Sequence, residues 1–109
     1  MHELSIAQSI VDTVCARAGE RPVRSVMIRV GALTAVVPEA MRFCFELAVM
    51  GTVADGARLD IERRPGTLHC RRCGDDATID DPILLCPCGS ADVAVTAGRE
   101  LQIVSMEVG

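Results

Sequence analysis

His69-Cys70-Arg71-Arg72-Cys73-Gly74 and Cys86-Pro87-Cys88-Gly89 are two short cysteine motifs, with twelve residues between Cys73 and Cys86. Four thiols that arrive as two close pairs in one short segment are typical of a metal site. Thiolates are soft ligands, and four of them around one ion form the common closed, tetrahedral zinc site of proteins in a reducing compartment. The motifs therefore predict structural zinc at Cys70, Cys73, Cys86 and Cys88.

The two pairs differ in spacing. The first has two residues between its cysteines and a glycine after them, as in a zinc knuckle. The second has only Pro87 between Cys86 and Cys88, and the shorter chelate ring is expected to strain a tetrahedral site. His69 is adjacent to the first pair, so a site of three sulfurs and the His69 imidazole is an alternative to the four-cysteine site.

Composition limits the class of protein. The chain has 109 residues, 50% of them hydrophobic but only two aromatic, which predicts an ordinary aliphatic core with a small metal-dependent lobe. A net charge of -4 argues against nucleic acid as a partner. The sequence has no apolar run long enough to span a membrane and no secretory signal pattern, so we expect a cytoplasmic protein with no membrane partner.

Upstream of the cysteines, the hydrophobic pattern predicts helix, strand, helix, strand. Apolar residues from Leu4 to Ala18 recur at helical spacing, and Ser5 with Gln8 fits a capping box that favours a helix start slightly after Leu4. Alternation predicts strands around 26–30 and 57–62, and Pro38 with Glu39 suits the first turn of the second helix. Residues 100–108 form the last predicted strand, in which the apolar alternation changes phase and suggests a bulge.

The predicted fold is therefore α+β, a three-stranded mixed sheet with two helices on one face. A small zinc-binding lobe is inserted as a loop before the last strand. A strand-helix-strand crossover favours parallel pairing of the first two strands, and the long excursion lets the last strand return antiparallel. We expect residues 1–64 with 99–109 to form the α/β domain and residues 65–98 to form a zinc-ribbon-like domain.

The amino end, Met1-His2-Glu3, predicts a second metal site of different chemistry. The terminal amine, the His2 amide nitrogen and the His2 ring can close fused chelate rings on one ion, with the amide or carboxylate of Glu3 completing the set. A mainly nitrogen, square-planar arrangement suits Ni(II) or Cu(II) better than zinc. We therefore expect an open, exchangeable site at the N-terminus.

Other polar residues are weaker candidates. The acidic pairs Asp75-Asp76 and Asp80-Asp81 are typical of a solvated surface. Four arginines flank the first cysteine pair and are expected to compensate the negative charge of a zinc tetrathiolate: Arg63, Arg64, Arg71 and Arg72. The sequence provides no convincing catalytic residues, so we do not expect an enzyme.

The sequence resembles the HypA family of hydrogenase maturation factors over essentially its whole length. The resemblance rests on the opening Met1-His2-Glu3-Leu4-Ser5 together with the double-cysteine segment, and on motifs between and after them, such as Val37-Pro38-Glu39, Gly51-Thr52, Pro65-Gly66 and Gly98-Arg99-Glu100-Leu101. The family usually has two residues between the last two cysteines, where this chain has Pro87 alone.

This resemblance implies a nickel metallochaperone that assists delivery of Ni(II) to the large subunit of [NiFe]-hydrogenase with a HypB-type GTPase, and in some organisms also serves urease through its accessory proteins. It implies exchangeable nickel at Met1, His2 and Glu3, and structural zinc at Cys70, Cys73, Cys86 and Cys88. Two alternatives use the same cysteines: a zinc-ribbon module for binding protein or nucleic acid, and an iron-sulfur protein.

Overall fold

A computed structural model of the chain describes residues 3–109. These residues include two α-helices and six strands, and the strands form two three-stranded sheets. In chain order, the elements are α1 (Glu3–Ala18), β1 (Val23–Gly31), a 3-10 turn (Ala32–Thr34), α2 (Pro38–Ala48), β2 (Arg58–Arg64), β3 (Gly66–Cys70), β4 (Asp76–Ile79), β5 (Val93–Ala97) and β6 (Leu101–Val108).

The described part of the chain divides into two compact units. The first contains the chain up to Ile28 together with Val36–Glu62 and Gln102–Gly109. The second contains Arg29–Ala35 and Arg63–Leu101, which includes all four clustered cysteines. Within residues 3–109, no helix is long and apolar enough to cross a membrane.

In the first unit, the two helices pack against each other and share a core with the sheet. Val11 of α1, Met41 and Phe45 of α2, and Val26 and Ile28 of β1 are all almost completely buried. The buried residues of β1 alternate with more exposed ones, as expected for a strand that carries its helices on one face. The α+β fold with two helices on one face is confirmed.

The helix ends follow the residues that the sequence offers. Gly19 adopts a left-handed conformation and its N–H donates to the carbonyl of Cys15, which ends α1. Pro38 occupies the first turn of α2, as predicted. The prediction of a later start for α1 is wrong, because the helix already includes Glu3. Gln8 serves a different purpose, since its side-chain amide donates to Asp12 one turn further on.

The first sheet has the strand order β2-β1-β6. The amide of Gly109 donates to Pro22 at one end of β1, and the amide of Gly31 donates to Glu100 at the other, so β6 runs antiparallel to β1. The amide of Val23 donates to Val53 in the segment that leads into β2, which brings the beginnings of β1 and β2 together, as in a parallel pair. The mixed sheet is therefore confirmed.

The second sheet was not predicted. The sequence pattern suggests only a loop between residues 65 and 98, whereas the structure has β3 paired antiparallel with both β4 and β5. Leu68 stands opposite Ala77 on one side and Val95 on the other. These strands are only four or five residues long, so any apolar alternation in them is too short to be recognised.

Candidate metal centre

The four cysteine sulfurs converge in the second unit. Cys70 ends β3, Cys73 lies in the turn after it, and Cys86 and Cys88 lie in the segment before β5. Their sulfur atoms all lie within 4.8 Å of one another. The Cys70 and Cys88 sulfurs are 3.7 Å apart, and those of Cys73 and Cys86 are 3.6 Å apart. Four ligands at a Zn–S length of about 2.3 Å place tetrahedral sulfurs about 3.8 Å apart, so the cluster fits a zinc site.

Two turns with left-handed glycines hold the pairs in place. After the first pair, the amide of Gly74 donates to the carbonyl of Cys70, and the amide of Cys73 donates to the Cys70 sulfur at 3.4 Å. After the second pair, the amide of Gly89 donates to the carbonyl of Cys86. The turn of the second pair therefore closes one residue earlier, and Cys88 still reaches the cluster despite the single intervening residue.

Ser90 anchors the second turn and was missed by the sequence analysis. Its carbonyl accepts a hydrogen bond from the amide of Cys86, and its hydroxyl accepts one from the amide of Asp92. The side chain is buried, with 7% of its surface exposed. A serine hydroxyl that accepts a hydrogen bond from the amide two residues later stabilises a turn, so a serine shortly before a strand is a possible turn signal.

A small hydrophobic core supports the thiols. Cys70 and Cys86 are themselves buried and pack with Leu68, while Ala77, Ile79 and Val93 surround them as partly buried neighbours. Cys73 and Cys88 are exposed. The inner side of the cluster thus belongs to the hydrophobic core of the sheet, and its outer side lies in the turns. A core of so few apolar groups is weak without a metal.

His69 points away from the buried side of β3, because successive residues of a strand face opposite ways. Its Nδ1 atom lies 2.7 Å from a carboxylate oxygen of Asp76, the residue opposite it on β4. Among the described residues, the group able to hold an ion consists of the four cysteines alone. His69 as a substitute fourth ligand stays a prediction, and in this structure the imidazole has another partner.

Two of the four arginines that flank the first cysteine pair in sequence contact carboxylates in the structure. Arg71 donates to Asp92 at 3.0 Å and to the carbonyl of Val93, and it thereby ties the first cysteine turn to the start of β5. Arg64 lies 4.0 Å from Glu100. Arg71 therefore contributes local structure as well as positive charge beside the first cysteine pair.

The thiols differ in how readily they ionise. The backbone N–H of Cys73 is the main cause that lowers the pKa of Cys70 to about 6. At Cys86, the amide of Cys88 lowers the pKa, but burial and the neighbouring thiols outweigh it and raise the pKa to about 12. At Cys73, the amide of Asp75 lowers the pKa, while burial and the thiols of Cys70 and Cys88 together raise it. The Cys70 thiolate therefore forms easily, whereas the thiols of Cys73 and Cys86 need a nearby cation to ionise near neutral pH.

We expect metal binding at this cluster to be strongly pH-dependent. Cys73 and Cys86 are protonated near neutral pH and must become thiolates, so binding releases at least about two protons and the affinity falls about 100-fold or more per pH unit of acidification. The change is measured by competition with a chelator of known pH-dependent affinity between about pH 6.5 and pH 8.5. An affinity that is independent of pH over this range would contradict the assignment of the thiols.

Only part of the predicted N-terminal site falls within the described residues. Met1 and His2 lie outside them. Glu3 begins α1, and its carboxylate accepts a hydrogen bond of 3.2 Å from the amide of Val37, the residue before α2. The Glu3 side chain therefore fastens the beginning of α1 to the beginning of α2.

Comparison with known proteins identifies the family. The family described as "Hydrogenase/urease nickel incorporation, metallochaperone, hypA" matches residues 1–108. Among curated relatives, the hydrogenase maturation factor HypA of Nostoc punctiforme is 41% identical over 99% of this chain and 96% of its own length. The HypA of Geobacter sulfurreducens is 43% identical over 99% of both chains.

A solved structure shows the same fold. The solution structure of the Ni metallochaperone HypA from Helicobacter pylori superposes with a TM-score of 0.67 and 24% identity, over 99% of this chain and 97% of that one. The whole-chain match and the curated relatives identify a maturation factor and not an enzyme. This chain belongs to the HypA family of nickel metallochaperones that act as hydrogenase maturation factors.

Proposed function

We propose that the chain carries Ni(II) at Met1, His2 and Glu3 and holds a permanent Zn(II) at Cys70, Cys73, Cys86 and Cys88. The observation that carries this proposal is the closed thiol cluster: four sulfurs at tetrahedral spacing leave no open position for an ion that must be released. A transported ion then needs a second site, and the amino end offers the nitrogen donors that nickel favours.

Glu3 has two donors to offer, and the structure favours one of them. Its carboxylate already accepts a hydrogen bond from Val37. We therefore propose that the Glu3 backbone nitrogen completes the nickel site, with the terminal amine, the His2 amide nitrogen and the His2 ring. The side chain then acts as a positioning group that keeps these donors beside α2.

The position of the proposed nickel site at the start of α1 also favours release of the ion. A cation at the start of α1 meets the positive end of the helix dipole, which costs about 0.3 to 1 kcal/mol. Deprotonated amide nitrogens and the Glu3 carboxylate offset this repulsion only while the ligands stay deprotonated. A drop in local pH or a competing ligand on the recipient would therefore free the ion, which is what a carrier requires.

The proposed recipient is the large subunit of [NiFe]-hydrogenase, with a HypB-type GTPase as partner in the cytoplasm. Service to urease through its accessory proteins is a further part of the proposal. In this division of roles, residues 1–64 with 99–109 form the nickel-binding domain, and residues 65–98 form the zinc-binding domain. The family match, whose description names both hydrogenase and urease nickel incorporation, supports the choice of recipients.

Nickel titration of the zinc-loaded chain, without any N-terminal tag, tests the proposal. We expect His2→Ala to weaken nickel binding by at least about 100-fold, because loss of a direct ligand should exceed the 10- to 100-fold effect of outer groups. His69→Ala is the matched control, since it also removes an imidazole but should leave nickel affinity and zinc content unchanged. Equal nickel affinities for wild type and His2→Ala, measured by calorimetry, would overturn the carrier site.

A further inference from the structure

The four clustered thiols form two close pairs, and each pair joins the first cysteine turn to the second. The Cys70 and Cys88 sulfurs are 3.7 Å apart, and the Cys73 and Cys86 sulfurs are 3.6 Å apart. In each pair one cysteine is exposed and the other is buried, since Cys88 and Cys73 are exposed whereas Cys70 and Cys86 are buried. Each pair therefore has one sulfur that a small reagent can reach from solvent, with a shielded sulfur beside it.

The short spacing of the second motif restricts how these thiols can pair when they are oxidised. Only Pro87 separates Cys86 from Cys88, so a disulfide between the two would close a small and strained ring. The ring of Pro87 also fixes its φ angle, which leaves less freedom to relieve that strain. Each cysteine of the second turn must therefore pair with one of the first turn. The sulfur distances favour Cys70 with Cys88 and Cys73 with Cys86.

We propose that a hydroperoxide oxidises the four thiolates to two disulfides, Cys70–Cys88 and Cys73–Cys86, which give up the zinc ion and replace it as the cross-link between the two turns. Cross-links of this kind stabilise a fold by constraining its unfolded chain. The sheet of β3, β4 and β5 therefore stays folded after the metal has left. This inference goes beyond nickel delivery, and of the proposed function it uses only the zinc at this cluster.

The exposed thiolate of each pair reacts first. The Cys88 sulfur attacks one oxygen of hydrogen peroxide, so that an S–O bond forms, the O–O bond breaks and hydroxide leaves. The Cys70 sulfur then attacks the resulting sulfenic sulfur, so that the S–S bond forms, the S–O bond breaks and a second hydroxide leaves. The two thiolates lose two electrons and the peroxide gains two. Cys73 and Cys86 react in the same way with a second peroxide, after which no thiolate remains to bind the ion.

Titration of the zinc-loaded chain with hydrogen peroxide tests the proposal. The variant with both Cys15→Ser and Cys44→Ser is suited to counting thiols, because it keeps only the four that are clustered. We expect about two equivalents of peroxide to remove all four thiols and to release the zinc, which a zinc-binding dye measures. Reduction with a dithiol and addition of zinc should restore both the thiols and the bound ion.

Mass spectrometry of the oxidised chain identifies the pairs. Trypsin cleaves after arginine, and Arg71 and Arg72 lie between Cys70 and Cys73, so Cys70 is released on a different peptide from the other three cysteines. We expect the peptide with Cys70 to be attached at Cys88.

Amide spectra give a second readout that needs no variant. The chemical shifts of β3, β4 and β5 should remain those of a folded sheet in the oxidised, zinc-free chain. The matched control is the reduced chain stripped of zinc by a chelator, which has lost the ion but has no disulfides. Its amide shifts for the same strands should move to the values of an unfolded chain.

Four results would each overturn the proposal: a disulfide within one turn, either Cys70–Cys73 or Cys86–Cys88; thiols that survive about a tenfold excess of peroxide; zinc that stays bound after the four thiols are oxidised; or a second sheet that unfolds on oxidation. A chain that purifies without zinc would instead contradict the proposed function, and the disulfide map would still decide the pairing.

Discussion

Cys86→Ser is expected to abolish tight zinc binding and to unfold the sheet of β3, β4 and β5, while α1 and α2 keep their helical signal. Cys86 is 4% exposed and packs with Leu68 and Cys70 in a core of few residues. Structural zinc supplies about 10 to 16 kcal/mol to small metal-bound folds, far more than such a core can provide. A serine hydroxyl is a poor replacement for a thiolate, so most of this stabilisation should be lost.

Zinc content and amide spectra measure this effect. Elemental analysis should give about one zinc per chain for the wild type and much less for Cys86→Ser. In Cys86→Ser, the amide chemical shifts of β3, β4 and β5 should move to the values of an unfolded chain. Cys44→Ser is the matched control, because Cys44 lies half-buried on α2 and should leave the zinc in place. A Cys86→Ser variant that keeps its zinc and its second sheet would contradict the role given to this thiol.

Gly31→Ala is expected to destabilise the chain by at least about 3 kcal/mol, the upper range for an overpacked site. The added methyl group would overlap the carbonyl carbon and oxygen of Gly98 and approach the amide nitrogen of Arg99 to 2.8 Å. All three are backbone atoms. They are held by hydrogen bonds from Gly31 to Glu100 and from Leu33 to Gly98, so the clash cannot be relieved by a side-chain movement.

Gly51→Ala provides the contrast. Gly51 has a φ of +78°, but nothing lies within 4 Å of an added methyl group. Its replacement should cost only the strain of a left-handed residue, about 1 kcal/mol. Urea unfolding of both variants measures the difference. If Gly31→Ala lowers the free energy of unfolding by no more than Gly51→Ala does, the result would contradict the close packing of these backbone segments.

Local sequence signals were sufficient for the first unit. Pro38 and Glu39 mark the beginning of α2, Gly19 marks the end of α1, and the alternation around Val26 and Ile28 marks the central strand. Each signal acts within a few residues, which is why it can be recognised without a structure. The second sheet could not be recognised in this way, because its strands are only four or five residues long.

The four cysteine sulfurs lie together in the structure, as the cysteine spacing indicates, and zinc as the bound ion stays a prediction. The partners of their neighbours were not predicted. His69 meets Asp76 only through the register of β3 with β4, and Glu3 meets Val37 across 34 residues of sequence. The apolar phase change in β6, first explained by a bulge, also fits a strand that is exposed on both faces.

Nickel and zinc K-edge absorption of the untagged chain, loaded with both ions, tests the separation of the two sites most directly. The account predicts a nickel edge with nitrogen neighbours that loses its imidazole signal in His2→Ala. It predicts a zinc edge with four sulfur neighbours at about 2.3 Å in both proteins. Sulfur around the nickel, or a nickel environment that is the same in His2→Ala, would contradict it.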